Sequence, residues 1–135
     1  MPTLHLVLST TPAPEVQAQL AHKLTQLTAD VLGKKPAVTA LRMSFATPGT
    51  WWIGAQPVQA PTTTAYFEIN ITQGTNSEEQ KAQYLAQVFD CLQALLGPLA
   101  SASYAIVHEL PATDWGYGGL SQRQRQIEMQ DLKKV

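Results

Sequence analysis

A chain of 135 residues, 44% hydrophobic and 14% charged, is long enough for one domain with its own core. Its formal net charge of -1 offers no field to draw nucleic acid or an anionic membrane. The lone cysteine, Cys91, excludes an intrachain disulfide, no stretch reaches the roughly 18 apolar residues of a membrane span, and no basic segment precedes the short apolar run at the amino end, so the expected setting is cytoplasmic.

In chain order, "TLHLVLS" at 3–9 alternates Leu4, Leu6 and Leu8 with Thr3, His5 and Val7, the period of a half-buried strand. A helix is predicted from about Pro14 to Leu32, with Val16, Leu20, Leu24, Leu27 and Val31 on one stripe and Gly33 as its stop. A second strand, "VTALRMSFA" at 38–46, leads to an aromatic-glycine turn, "WWIG" at 51–54. The pattern then repeats. "FEINITQ" at 67–73 is a strand with Phe67, Ile69 and Ile71 on one side. A helix follows from about Ser77 to Leu96 with Tyr84, Leu85, Val88, Leu92 and Leu95 as its stripe, opened by the capping serine Ser77 three residues before Gln80 and closed by Gly97. Cys91 lies at a helix-core spacing here and reads as a buried structural thiol. "ASYAIVHEL" at 102–110 and "WGYG" at 115–118 complete the copy. From about 120 to 135 the chain is polar, and Arg123, Arg125, Lys133 and Lys134, interspersed with Gln, Glu128 and Asp131, read as a solvated helical tail.

Residues 2–58 and 66–122 align at a constant offset of 64 without a gap. Two βαβ units in tandem, each with a right-handed crossover, give an α+β domain: a four-stranded mixed sheet with both helices on one face. The other face is left uncovered, and a chain this small is expected to hide it by oligomerising.

A Met-Pro start ahead of a strand, a βαβ unit ending in an aromatic-glycine turn, and a tandem copy of that unit together resemble the tautomerase superfamily over about residues 2–120. Each unit is similar to the subunit of 4-oxalocrotonate tautomerase. The doubled chain is similar to macrophage migration inhibitory factor and malonate semialdehyde decarboxylase. The resemblance implies a homotrimer in which the amino-terminal proline, freed of methionine, is the catalytic base.

The chemistry of Pro2 supports that role on its own terms. A free α-amino group has a pKa of about 7.7–8, and burial beside apolar residues and a cation lowers it toward neutrality. A base poised there can take a proton from the carbon next to a carbonyl and return it elsewhere. Lys34, in "GKKP" at 33–36, resembles the lysine that flanks the proline amine in the migration inhibitory factor group; equally, it is a solvated lysine at a helix C-terminus. Tyr104 falls where that group carries a pocket tyrosine from the neighbouring subunit, or else is a sheet tyrosine reaching solvent. Arg42, the only arginine in the body of the chain, lies on the same strand face as Ala40 and is a further substrate-binding candidate.

Several departures bear on the substrate. The positions matching the two dicarboxylate-binding arginines of 4-oxalocrotonate tautomerase hold Pro12 and Ala40 in the first unit, and about Thr75 or Asn76 and Tyr104 in the second; none is basic. The arginine pair of the decarboxylase relatives is missing from "QGTNSEEQK". His5, His22 and His108 are too scattered for a metal site, and His108 beside Glu109 reads as an exposed strand pair. Trp51, Trp52, Trp115 and Tyr117 line an aromatic pocket or pack an interface.

The reading that follows is a cofactor-independent keto-enol tautomerase of a small 2-oxo acid, phenylpyruvate-like, with Pro2 as base and Lys34, Tyr104 and Arg42 as substrate-binding groups. The alternatives are a non-catalytic protein of the same fold that retains Met1, whose Pro2 nitrogen is then an amide without basicity, and a decarboxylase or dehalogenase of that fold.

Overall fold

The computed structural model describes residues 2–133. Four strands form the main sheet: β1 (Thr3–Leu8), β2 (Ala40–Phe45), β5 (Ala65–Thr72) and β6 (Tyr104–Leu110), in the order β2-β1-β5-β6. Within each unit the strands are parallel, and β1 and β5 run antiparallel at the centre. The helices α1 (Pro14–Leu32) and α2 (Glu78–Leu96) pack together on one face. Two hairpins, β3 (Trp52–Ile53) with β4 (Gln56–Pro57) and β7 (Gly116–Tyr117) with β8 (Leu120–Ser121), occupy the aromatic-glycine turns, and α3 (Gln122–Lys133) follows the second. No helix among the described residues is long and apolar enough to cross a membrane.

The helices obey the offset of 64 in both bounds: α1 begins at Pro14 and ends at Leu32, α2 at Glu78 and Leu96. Their starts differ. Ser77 forms a full capping box with Gln80, whereas Ala13 caps α1 with no side chain and leaves Pro14 to set the first turn. Gly33 takes the left-handed conformation (φ 70°) that a C-terminal stop requires. The hairpin turns match as well. Gly54–Ala55 and Gly118–Gly119 all have positive φ, the two-residue turn that suits strand twist, and Ala55 adopts it without being glycine. One boundary moves: Pro36–Val38 forms a 3₁₀ turn, so the strand expected from 38 starts at Ala40.

The gapless repeat needs one correction. Thr3 pairs with Ala40 and Tyr66 with Tyr104; since Ala40 and Tyr104 are 64 apart, Thr3 corresponds to Tyr66, only 63 away. Between the equivalent residues Leu8 and Ile71 and the helix starts Pro14 and Glu78, the second unit has one residue more, taken up as Thr72 at the end of β5. Side chains alternate across a strand, so this shift is what keeps Leu4, Leu6 and Leu8 on the same face as Phe67, Ile69 and Ile71. Pro2 therefore corresponds to Ala65, not to Tyr66.

The core lies between the sheet and the helices, built on Leu6, Leu8, Leu20, Leu24, Phe67, Ile69, Tyr84 and Val88. It contains one polar pair. The Thr28 hydroxyl donates to the Leu24 carbonyl at 2.7 Å, so the Tyr84 hydroxyl, 2.7 Å away, is the donor to Thr28. Burial raises the pKa of Tyr84 well above the ordinary phenol value and keeps that proton in place. Cys91 is half-buried rather than buried, and desolvation pushes its thiol up, away from reactivity.

The open face of the sheet is more polar than the argument for burying it supposes. Asn70 donates to Thr3 (2.9 Å), His108 meets Glu68 (3.3 Å), and His5 lies between Ser44 (2.9 Å) and Arg42 (3.5 Å). Its apolar strip runs along β6, through Tyr104, Ile106 and Leu110.

Candidate functional site

Pro2 is fully buried at the head of β1, and its carbonyl accepts the Ala40 N–H at 3.3 Å. It shares the parity of Leu4, Leu6 and Leu8, so its ring belongs to the helix side of the sheet. Because β1 and β5 are antiparallel, with Thr3 opposite Asn70, the end of the sheet holding Pro2 is also the carboxyl end of β5. Met1, on whose removal the basicity of Pro2 depends, lies outside the described residues.

Lys34 comes to this same end. The turn that stops α1 carries it there, with the Lys34 N–H bonded to the Thr28 carbonyl (3.4 Å) beside the Gly33 cap. Its Nζ donates to the Thr75 hydroxyl at 2.9 Å, and Thr75 donates to the carbonyl of Thr72, the last residue of β5. Asn76 fixes the geometry from the other side by donating to the Leu32 carbonyl at 3.0 Å. Lys34 is half-buried, and desolvation lowers its pKa while the charge of Glu109 works in the opposite sense. Glu109 is held below the usual carboxylate range, first by its hydrogen bond from Lys81 and then by the Gly74 N–H. His108 and Glu109 are not a pair: they project to opposite faces, one to Glu68 and the other to Lys81.

The other two predicted site residues lie elsewhere. Tyr104 starts β6 opposite Tyr66, at the far end of the sheet from Pro2, and is 63% exposed on an edge strand. Arg42 is on the open face of the other edge strand, against His5. That contact makes Nδ1 of His5 an acceptor, so Nε2 carries the proton toward Ser44. Within one chain, Pro2 and Lys34 stand at the same end of the sheet, and Tyr104 and Arg42 lie apart from them.

The sequence reading missed the wall opposite Lys34. A cleft of about 560 Å³ opens between the Lys34 turn, the end of β5, the β7–β8 hairpin and α3, lined by Lys34, Thr72, Thr75, Tyr117, Gln122 and Arg125 among others. Trp115 supports its floor by donating to the Thr72 hydroxyl at 3.2 Å. Arg125 is partly buried rather than free in solvent: its guanidinium carbon lies 3.7 Å from the centroid of the Tyr117 ring and its Nη2 donates to the Tyr117 carbonyl at 2.8 Å. A detectable signal was the spacing of Gln122, Arg125 and Met129, which shares one face of a helix. No group of three or more His, Cys, Asp and Glu side chains among the described residues could hold a metal.

The family model described as "Tautomerase enzyme" matches residues 66–125, the second unit and the first turn of α3. A search of curated proteins finds no match. Among solved structures, a fused 4-OT wild-type asymmetric trimer is 24% identical, with TM-score 0.81 over 91% of this chain and 98% of that one. Pt0534, solved after inactivation by 2-oxo-3-pentynoate, is 16% identical with TM-score 0.82 over 91% and 98%. A macrophage migration inhibitory factor-like protein from Entamoeba histolytica is 18% identical with TM-score 0.74 over 89% and 97%. The resemblance read from the sequence is borne out. The chain has the tandem-repeat fold of the tautomerase superfamily, and its second unit carries the family's sequence signature.

Proposed function

We propose that this protein is a cofactor-independent tautomerase that interconverts the keto and enol forms of a small 2-oxo acid. Pro2, once Met1 is removed, is its general base. The observation that carries the reading is the position of Pro2: fully buried, at the head of β1, on the end of the sheet to which the α1 stop brings the Lys34 ammonium. A buried secondary amine is pushed toward its neutral, basic form by desolvation, and the Lys34 ammonium at the same end of the sheet acts in the same sense. It removes the proton from the carbon adjacent to the carbonyl and delivers it to the other terminus of the enol system, while Lys34 holds the carboxylate. That one structural neighbour is inactivated by 2-oxo-3-pentynoate, itself a 2-oxo acid, supports the substrate class.

The active assembly is a homotrimer, in keeping with the trimers of the fused 4-OT neighbours. In it Tyr104, exposed on an edge strand and far from its own Pro2, completes a neighbouring subunit's site. The test has two parts. The intact mass of untagged protein should lack one methionine, and Pro2→Ala should abolish ketonisation of phenylenolpyruvate with assembly unchanged. Undiminished turnover in Pro2→Ala would refute the mechanism.

A further inference from the structure

The pseudo-twofold repeat gives the Lys34 cleft a twin. A cavity of about 610 Å³ sits at the other end of the sheet, where Ser9 replaces Thr72, Val58 replaces Gln122 and Trp51 contributes an aromatic wall. The two are equivalent in backbone: the Gln122 N–H bonds the Trp115 carbonyl at 2.9 Å, and the Val58 N–H bonds the Trp51 carbonyl at 2.9 Å. They differ in charge. No residue lining the twin is ionisable, whereas Lys34, Lys35 and Arg125 line the cleft at the Pro2 end.

Two buried donors in the charged cleft lack partners among the described residues. Gln122 is 6% exposed and its Nε2 bonds nothing; nor does the Nε of Arg125. Leaving a buried amide donor unpaired is costly and a charged one more so, so such groups mark a place completed by something the chain itself does not supply. The guanidinium is already held against the Tyr117 ring and carbonyl, so little side-chain freedom remains to be lost when it engages a ligand. The same face of α3 sets Met129 and Leu132 along the cleft, an apolar lining beyond the cations, with Glu128 at the side.

We propose that Arg125, supported by Gln122 and Lys34, is the carboxylate-binding residue of this cleft. The ligand is a monocarboxylate whose apolar substituent lies along Met129 and Leu132; Glu128 disfavours a second carboxylate. In taking that ligand to be the substrate, the proposal rests on the function proposed above. It supplies, from α3, the guanidinium missing at Pro12, Ala40, Thr75 and Tyr104. A planar fork matches a carboxylate in a way the point charge of Lys34 does not.

Isothermal titration of the full chain with 3-phenylpropanoate and with its neutral amide, 3-phenylpropanamide, tests this. The native protein should bind the acid about ten-fold more tightly or better, the range of a charge-assisted hydrogen bond. Arg125→Gln should erase the preference, and in turnover raise KM with kcat little changed. Arg125→Lys, which keeps charge and stem and guards against a folding failure, should weaken the acid several-fold. Equal binding of acid and amide, no binding of either, or a preference that survives both variants would overturn the assignment. The two proposals fail separately. If Pro2→Ala keeps full turnover while Arg125→Gln loses acid preference, the base is wrong and the carboxylate site stands.

Discussion

The two ends of the sheet are built from the same backbone and carry different chemistry. At one end Pro2 heads β1, Lys34 follows the α1 stop, and Arg125 leans on the β7–β8 hairpin. At the other, Ala65 takes the place of Pro2 and Pro98 the place of Lys34. There the preceding segment closes the corner, with the Thr63 N–H on the Pro98 carbonyl and the Ala100 N–H on Thr63. Ala65 is an internal residue whose nitrogen is an amide, so that end offers no base. The repeat thus supplies two matching backbone frames, and only the cavity at the Pro2 end is lined by charged groups.

Breaking the frame at one hairpin should have the largest effect. Gly116 and Trp52 are equivalent, yet a Cβ at Gly116 would fall 1.9 Å from the Leu120 carbonyl oxygen, while the Trp52 side chain is 58% exposed. Gly116→Ala is expected to cost about 3 kcal/mol as an overpacked, immovable contact, and Trp52→Ala about 0.5 kcal/mol, as for an exposed site. Chemical denaturation of the two variants measures the difference.

The helices sharpen the comparison next. Leu20 corresponds to Tyr84 and Thr28 to Leu92, so the core's polar pair is an exchange between the two units. Thr28→Val strands the buried Tyr84 hydroxyl and should cost about 1–3 kcal/mol, whereas Tyr84→Phe leaves Thr28 bonded to Leu24 and should cost about 1 kcal/mol or less. Equal losses would mean the pair is not ordered as Tyr84 donating to Thr28. At the helix starts, Ser77→Ala should lose about 1 kcal/mol of capping and Ala13→Ser should gain part of that amount, both read from denaturant midpoints.

The smallest effect concerns pH. Burial lowers the Lys34 pKa from 10.5 and Glu109 partly restores it. In Glu109→Gln only the lowering remains, so Nζ loses its proton at lower pH and the alkaline fall in carboxylate affinity should move to lower pH. The sign for stability follows from the same shift. Between the lowered value and 10.5 the unfolded chain binds more protons, so this group makes stability rise with pH across that window. An unmoved alkaline limb would place Lys34 outside the binding site.

Most of the frame was legible because period and punctuation agree: the apolar stripe of α1 lies between Pro14 and Gly33, and that of α2 between Ser77 and Gly97. The slip of one residue between β1 and β5 was hidden because the helices and second strands keep the offset of 64, and the extra residue, Thr72, is a polar one at the end of β5. Thr28 was passed over as a core residue because a hydroxyl is satisfied there only by Leu24 and Tyr84, contacts that hydropathy does not register. Pro2 and Lys34 stood out through neighbouring residues. Arg125 did not, because its partner Tyr117 belongs to a hairpin and its surroundings in sequence, Gln124 and Gln126, look solvated.

The most direct test of the central claim, that the Pro2 end is the reactive one, is an NMR titration of protein labelled with ¹⁵N-proline. The account predicts a Pro2 nitrogen resonance that titrates below the ordinary α-amino range of about 7.7–8. A Pro2 resonance in the amide region, unmoved across that range of pH, would contradict it.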